Sequence, residues 1–124
     1  MHLLGHLSFG VLDLDRSTAF YDAIMVTLDY RRVWTSPNGV GYGLEPNQDK
    51  LALFPRADAA PPGPGFHLAF DAGSQTAVDA FHAAALANGG TCDGPPGLRP
   101  HYGETYYAAF VIDPDGHRLE AVHQ

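Results

Sequence analysis

The chain has little of what would tie it to nucleic acid, a bilayer or an oxidising compartment. Lys and Arg number seven among 124 residues, against fourteen Asp and Glu, so a formal charge of −7 leaves no basic stripe for a phosphate backbone. No apolar run approaches the roughly 20 residues that span a membrane, and the amino terminus shows no signal-peptide pattern. The single cysteine, Cys92, cannot close an intrachain disulfide and has no activating neighbour in sequence, so it reads as structural. These absences predict a cytoplasmic protein that binds neither nucleic acid nor membrane. The acidic balance reads as a solubility device, with a cationic ligand as the narrower alternative.

What the chain does contain is a repeat. Displaced by 61 positions, His6-Leu7-Ser8-Phe9 falls on His67-Leu68-Ala69-Phe70, and Ala19-Phe20 falls on Ala80-Phe81. Each half is too short to bury a convincing core alone, so the halves are expected to pair within one domain. Module one spans about residues 1–58, a linker about 59–65, and module two about 66–124.

Residues 3–11 alternate as a strand, and Asp13 or Asp15 caps a helix to about Leu28 with Phe20, Ile24 and Leu28 on its apolar stripe. Strands follow over Tyr30 to Trp34, Val40 to Glu45 and Lys50 to Pro55, separated by turn-forming residues. Module two repeats the scheme: a strand over Gly65 to Ala72, then a helix from Ser74 to about Asn88, stopped by Gly89-Gly90. A short strand near Thr91-Cys92 leads into a loop, Asp93 to Gly103, that carries Arg99, His101 and Tyr102 as a lid or pocket wall, or as a plain solvated crossover. A hairpin closes the chain, with arms over Thr105 to Ile112 and His117 to His123. The fold class is therefore α+β: two βαβββ modules forming a curved mixed sheet around a cleft.

If Asp113 faces Gly116 in the last turn, Ala109 faces Glu120, and Glu120 shares a face with Tyr107 while Tyr106 points to the core. Two imidazoles and a carboxylate are the minimum set for a divalent metal with open positions, and His6, His67 and Glu120 fit it if the repeat makes them converge. The bland alternatives are a strand histidine satisfied by a backbone carbonyl and a Glu120 paired with Arg118 or Arg99. His82 reads as helix packing, and His2, His117 and His123 are assigned no chemistry. Trp34 and Phe54 line the sheet as core or as a pocket's apolar floor.

The opening His6-Leu-Ser-Phe-Gly-Val-Leu-Asp-Leu-Asp-Arg-Ser-Thr-Ala-Phe-Tyr21, the Gly65-Phe-His67-Leu-Ala-Phe segment and the closing Asp113-Pro-Asp-Gly-His-Arg-Leu-Glu120 resemble the vicinal oxygen chelate superfamily, which includes glyoxalase I, fosfomycin-resistance transferases, extradiol dioxygenases and bleomycin-resistance proteins. The resemblance covers nearly the whole chain and extends to a bacterial single-domain glyoxalase-like subgroup. It implies metal ligands at His6, His67 and Glu120, a Zn, Ni, Mn or Fe cofactor, and a homodimer that can exchange modules between subunits. The position of glyoxalase I's second glutamate falls on Ala52, a departure from methylglyoxal chemistry. Fosfomycin enzymes surround a phosphonate with several cationic groups, where this cleft offers Arg99 and His101. Ring cleavage would call on His101, Tyr102 and Tyr107 as acid/base groups.

Two functions compete. In the first, the metal polarises neighbouring oxygens of a small substrate in lyase, isomerase, transferase or dioxygenase chemistry, with His101, Tyr102 and Tyr107 as catalytic candidates and Trp34, Phe54 and Arg99 binding the substrate. In the second, a metal-free protein of bleomycin-resistance type sequesters a hydrophobic or cationic compound against Trp34, Phe54 and Tyr107.

Overall fold

Two helix-covered sheets of identical topology repeat along the chain in a computed structural model that describes residues 3–124; His2 lies outside the described residues. Module one comprises β1 (Leu7–Val11), α1 (Leu14–Thr27), β2 (Arg31–Ser36), β3 (Gly39–Glu45) and β4 (Gln48–Pro55). Module two comprises β5 (Leu68–Asp71), α2 (Gln75–Ala87), β6 (Thr91–Leu98), β7 (Tyr107–Ile112) and β8 (Arg118–His123). The sheets run β1-β4-β3-β2 and β5-β8-β7-β6, each with its first strand parallel to its last and all other neighbours antiparallel. Among the described residues no strand pairing joins them.

The repeat extends to the helix ends. Asp13 caps α1 by accepting from Arg16 N, and Ser74 caps α2 by accepting from Ala77 N. At the other end Tyr30 N donates to Met25 O and Gly90 N to Ala85 O, the six-to-one bond of a Schellman stop. That stop needs a left-handed residue, supplied by Gly89 (φ 98°) in module two and by Asp29 (φ 65°) in module one.

Each helix buries its apolar stripe on its own sheet, and the helices pack on each other. Phe20, Ile24 and Met25 of α1 and Val78, Phe81 and Ala85 of α2 are buried in one core with Val11, Leu51, Leu53, Val111, Leu119 and Ala121. The alternate positions of every strand therefore face away from the helices. No described helix is long and apolar enough to cross a membrane.

Three expectations change. Residues 3–6 and 65–67 lie outside the strands, so His6 and His67 immediately precede β1 and β5. The stretch read as a loop from Asp93 is strand as far as Leu98: β6 is the edge strand, where Pro95 and Pro96 cost no interior hydrogen bond, and irregular register at Cys92/Gly94 and Gly94/Gly97 absorbs them. The closing hairpin is one residue out of the expected register, because Asp113 N donates to His117 O and Ile112 pairs with Arg118.

That turn is built on a buried carboxylate. Asp113 Oδ1 accepts from Asp115 N (2.9 Å) and His117 N (2.8 Å), while Oδ2 accepts from Tyr21 OH (2.6 Å) and His117 Nδ1 (2.9 Å). The His117 ring stacks on Phe9 at 4.2 Å, and Asp115 accepts from Ser17 Oγ and Arg16. Burial works against the Asp113 charge, but the bonds from His117 and Tyr21 outweigh it and hold the carboxyl below its usual 3.8. Burial and the Asp113 charge together push the Tyr21 phenol well up, so it stays a donor.

Asp113→Ala is expected to cost about 3 kcal/mol in urea unfolding at neutral pH, since it strands several buried donors at once. A depressed carboxylate contributes its stability above the unfolded pKa and loses it as pH falls below about 3.8 toward the folded value. Wild-type stability should therefore fall more steeply than the variant's below pH 4, measured by the same unfolding at stepped pH.

Candidate functional site

The helix-free face of module two gathers the chemistry. Glu120 lies on the central strand β8 between Ala69 of β5 and Phe110 of β7, its two cross-strand partners. It is 1% exposed. A carboxylate so buried needs partners on both oxygens. Oε1 faces His67 Nε2 at 3.1 Å, and Oε2 accepts a hydrogen bond from Tyr106 OH. The His67 side chain is 52% exposed, so the pair opens to solvent on the histidine side.

The one-residue register shift decides which tyrosine reaches this face. Phe110, not Ala109, opposes Glu120, so Tyr106 joins the carboxylate and Tyr107 turns to the helix side, where its hydroxyl bonds Asp79 of α2 at 2.6 Å. Tyr107 thus does not join the site residues it was expected to accompany. Tyr106 was read as core-facing, and only the true turn length could have revealed it. Burial, then the bond to Glu120 and its charge, push its phenol to about 12, so it stays protonated.

The arginines do not neutralise Glu120. Arg118 pairs with Asp93 at 2.7 Å, and Arg99 donates to Pro95 O and Gly97 O with its guanidinium 5.4 Å from the Phe110 ring centroid. Residues 99–106 form a tight turn, with Arg99 N bonded to Tyr106 O and Tyr102 N to Arg99 O, so the long loop expected from Asp93 is reduced to this turn. It carries a ladder of exposed or half-buried rings, His101 to Tyr102 at 4.2 Å and Tyr102 to Tyr106 at 5.3 Å.

Module one presents the matching face without the acid. Ser8 opposes Ala52 as Ala69 opposes Glu120, so Ala52 occupies the corner equivalent to the carboxylate. Exposed His6 lies at a cavity of about 610 Å³ that also takes in Leu4, Met25, Tyr42, Leu68 and Phe70. Trp34 and Phe54 are half-buried, 6.0 Å apart, with Trp34 Nε1 donating to Asp49 at 3.0 Å. The structure places them as the floor of the helix-free face rather than in the core, because β3 beneath them is glycine: a methyl at Gly41 would stand 2.1 Å from Trp34 Nε1, and one at Gly39 would stand 2.9 Å from the Phe54 ring.

For a divalent metal the fit is half complete. His67 Nε2 and Glu120 Oε1 stand at the spacing of two adjacent ligands of one cation, about 3 Å for bonds of about 2.1 Å. Among the described residues no group of three His, Cys, Asp or Glu side chains can hold an ion, so His6 does not join the pair within its own chain.

Comparison with known proteins gives a consistent picture. The sequence profile of the Glyoxalase/Bleomycin resistance protein/Dioxygenase superfamily matches residues 3–121. A glyoxalase/bleomycin resistance protein from Albidiferax ferrireducens T118 is 35% identical over 99% of both chains, with a TM-score of 0.84. A putative glyoxalase from Bacillus halodurans is 26% identical over 97% of this chain and 94% of its own, TM-score 0.70. The fosfomycin resistance protein FosX from Mesorhizobium loti, at 20% identity over 100% and 93%, shares the fold with a TM-score of 0.69. No curated protein matches the chain.

Gly41→Ala is expected to lift the indole off β3 and break its bond to Asp49. Trp34 is the only tryptophan, so its emission should shift to the red and become more accessible to acrylamide; an unchanged spectrum would contradict this packing.

Proposed function

The chain belongs to the glyoxalase/bleomycin resistance protein/dioxygenase superfamily, and from that premise we propose a metal-dependent enzyme acting on a small molecule, built as a homodimer in which His6 of the partner subunit completes the His67–Glu120 pair. One observation carries this reading: a buried carboxylate and an open imidazole stand 3.1 Å apart at ligand spacing, while the equivalent His6 stands in the module whose matching corner is Ala52. The helix-free faces of the two modules differ in content, one with an aromatic floor of Trp34 and Phe54, the other with a histidine, an acid and the Arg99 turn, while His6 stands at the edge of module one just before β1. A C2 dimer that lays one against the other contains two such sites.

When bound, a divalent cation such as Zn, Ni, Mn or Fe supplies Lewis acidity toward neighbouring substrate oxygens. The chain's own residues do the rest. Trp34 and Phe54 stack on the apolar part of the substrate, and Arg99, immobilised over Phe110, borders the opposite wall. With Ala52 in the second acid's corner, proton transfer falls to water or to His101 and Tyr102 on the turn.

The rival reading, a metal-free binder of hydrophobic or cationic compounds, draws on the same aromatic floor and the charge of −7. Tag-free protein dialysed against Zn, Ni, Mn or Fe separates them: one ion per chain is expected, and no uptake would favour the binder. His67→Ala should abolish uptake, and Glu120→Gln should weaken it to an affinity that titration at high Zn²⁺ still measures, each with little loss of fold stability. Co-refolding equal amounts of His6→Ala and Glu120→Gln chains should restore about one quarter of the sites, because half the dimers are mixed and each mixed dimer holds one intact set. No recovery would place all ligands in one chain or dissolve the proposal.

A further inference from the structure

Within this metal reading, on which the inference rests, we infer that Tyr106 is a positioning residue that commits Glu120 to binding a cation through one oxygen. The two carboxylate oxygens are held by different elements: Oε1 by His67 just before β5, Oε2 by the Tyr106 hydroxyl just before β7. Tyr106 is itself held in place, its N bonded to Gly103 O, its O accepting from Arg99 N and its ring against Tyr102 at 5.3 Å. The phenol is a neutral donor that a carboxylate can only accept from, so the bond persists when a cation takes over Oε1 from the His67 ring. Both oxygens then have partners, and Oε1 is the one on the side of the exposed His67 ring. Without the hydroxyl, Oε2 is a buried lone acceptor, and the carboxylate gains by turning to offer both oxygens to the metal or by swinging away from it. The tyrosine thereby sets how many coordination positions remain for water and substrate.

The test uses the tag-free full chain, titrated with Zn²⁺ by calorimetry and with Co²⁺ by visible absorption. Tyr106→Phe keeps the ring and removes the donor; it should weaken Zn²⁺ binding about 10- to 100-fold and alter the Co²⁺ ligand-field bands. If the tyrosine acts through the carboxylate, Glu120→Gln/Tyr106→Phe should bind no more weakly than Glu120→Gln alone. Wild-type binding with Tyr106→Phe within about twofold of it, or losses that add in the double variant, would overturn this role and leave the metal reading standing. A wild type that takes up no metal would overturn both. Should the variant fail to fold, wild-type protein carrying ¹³Cζ-tyrosine gives an independent reading. The Tyr106 resonance should move in step with one equivalent of Zn²⁺, and an unmoved resonance overturns the inference.

Discussion

The Asp113 carboxylate is the contact on which the arrangement of the molecule turns. It accepts from α1 through Tyr21, from the backbone of its own turn, and from the His117 ring that stacks on β1 through Phe9. A single side chain thereby joins module one to module two and sets the length of the hairpin between β7 and β8. The length of that hairpin sets which residues share a face with Glu120, because a slip of one position along a strand exchanges its two faces. Architecture and site chemistry are linked at this turn.

Around it the two modules keep the same plan and diverge in content. The sheet order, N-terminal caps and Schellman stops repeat, with Asp29 taking in module one the left-handed position that Gly89 holds in module two. The divergence lies on the helix-free faces. Module two has a buried acid with a histidine and a tyrosine on it, whereas module one has Ala52 and two aromatic rings over glycine. Among the described residues neither face alone holds three metal donors.

Much of this was legible in the chain, for reasons that can be named. The 61-residue repeat carried the topology, since a second copy of His-Leu-x-Phe ahead of an amphipathic helix requires the same strand and helix again. Asp13 and Ser74 were readable as caps because each stands before an apolar stripe of helical spacing. The end of β6 was not readable, because Pro95 and Pro96 signal a break except on an edge strand, and edge position depends on the whole sheet. Tyr106 and Tyr107 were exchanged because they are neighbours: assuming a four-residue turn, where Asp113 N in fact reaches His117 O, puts the wrong one on the carboxylate's face. Leu3 and Leu4 looked like strand residues by alternation, yet β1 begins only at Leu7 and Leu3 is 98% exposed. The role of Trp34 and Phe54 as floor rather than core depended on how the indole settles over Gly41, which pattern alone does not encode.

The glycines of β3 carry one more implication. Where Gly39 and Gly41 lie under Phe54 and Trp34, that strand contributes bare peptide to its outer surface, and the two rings rest on it almost as slabs on a table. The relief of that wall is then governed by the Trp34 ring from β2 and the Phe54 ring from β4. Exchanging either ring for a smaller residue would deepen that face toward the main chain itself while the hydrogen-bonded frame beneath stayed the same.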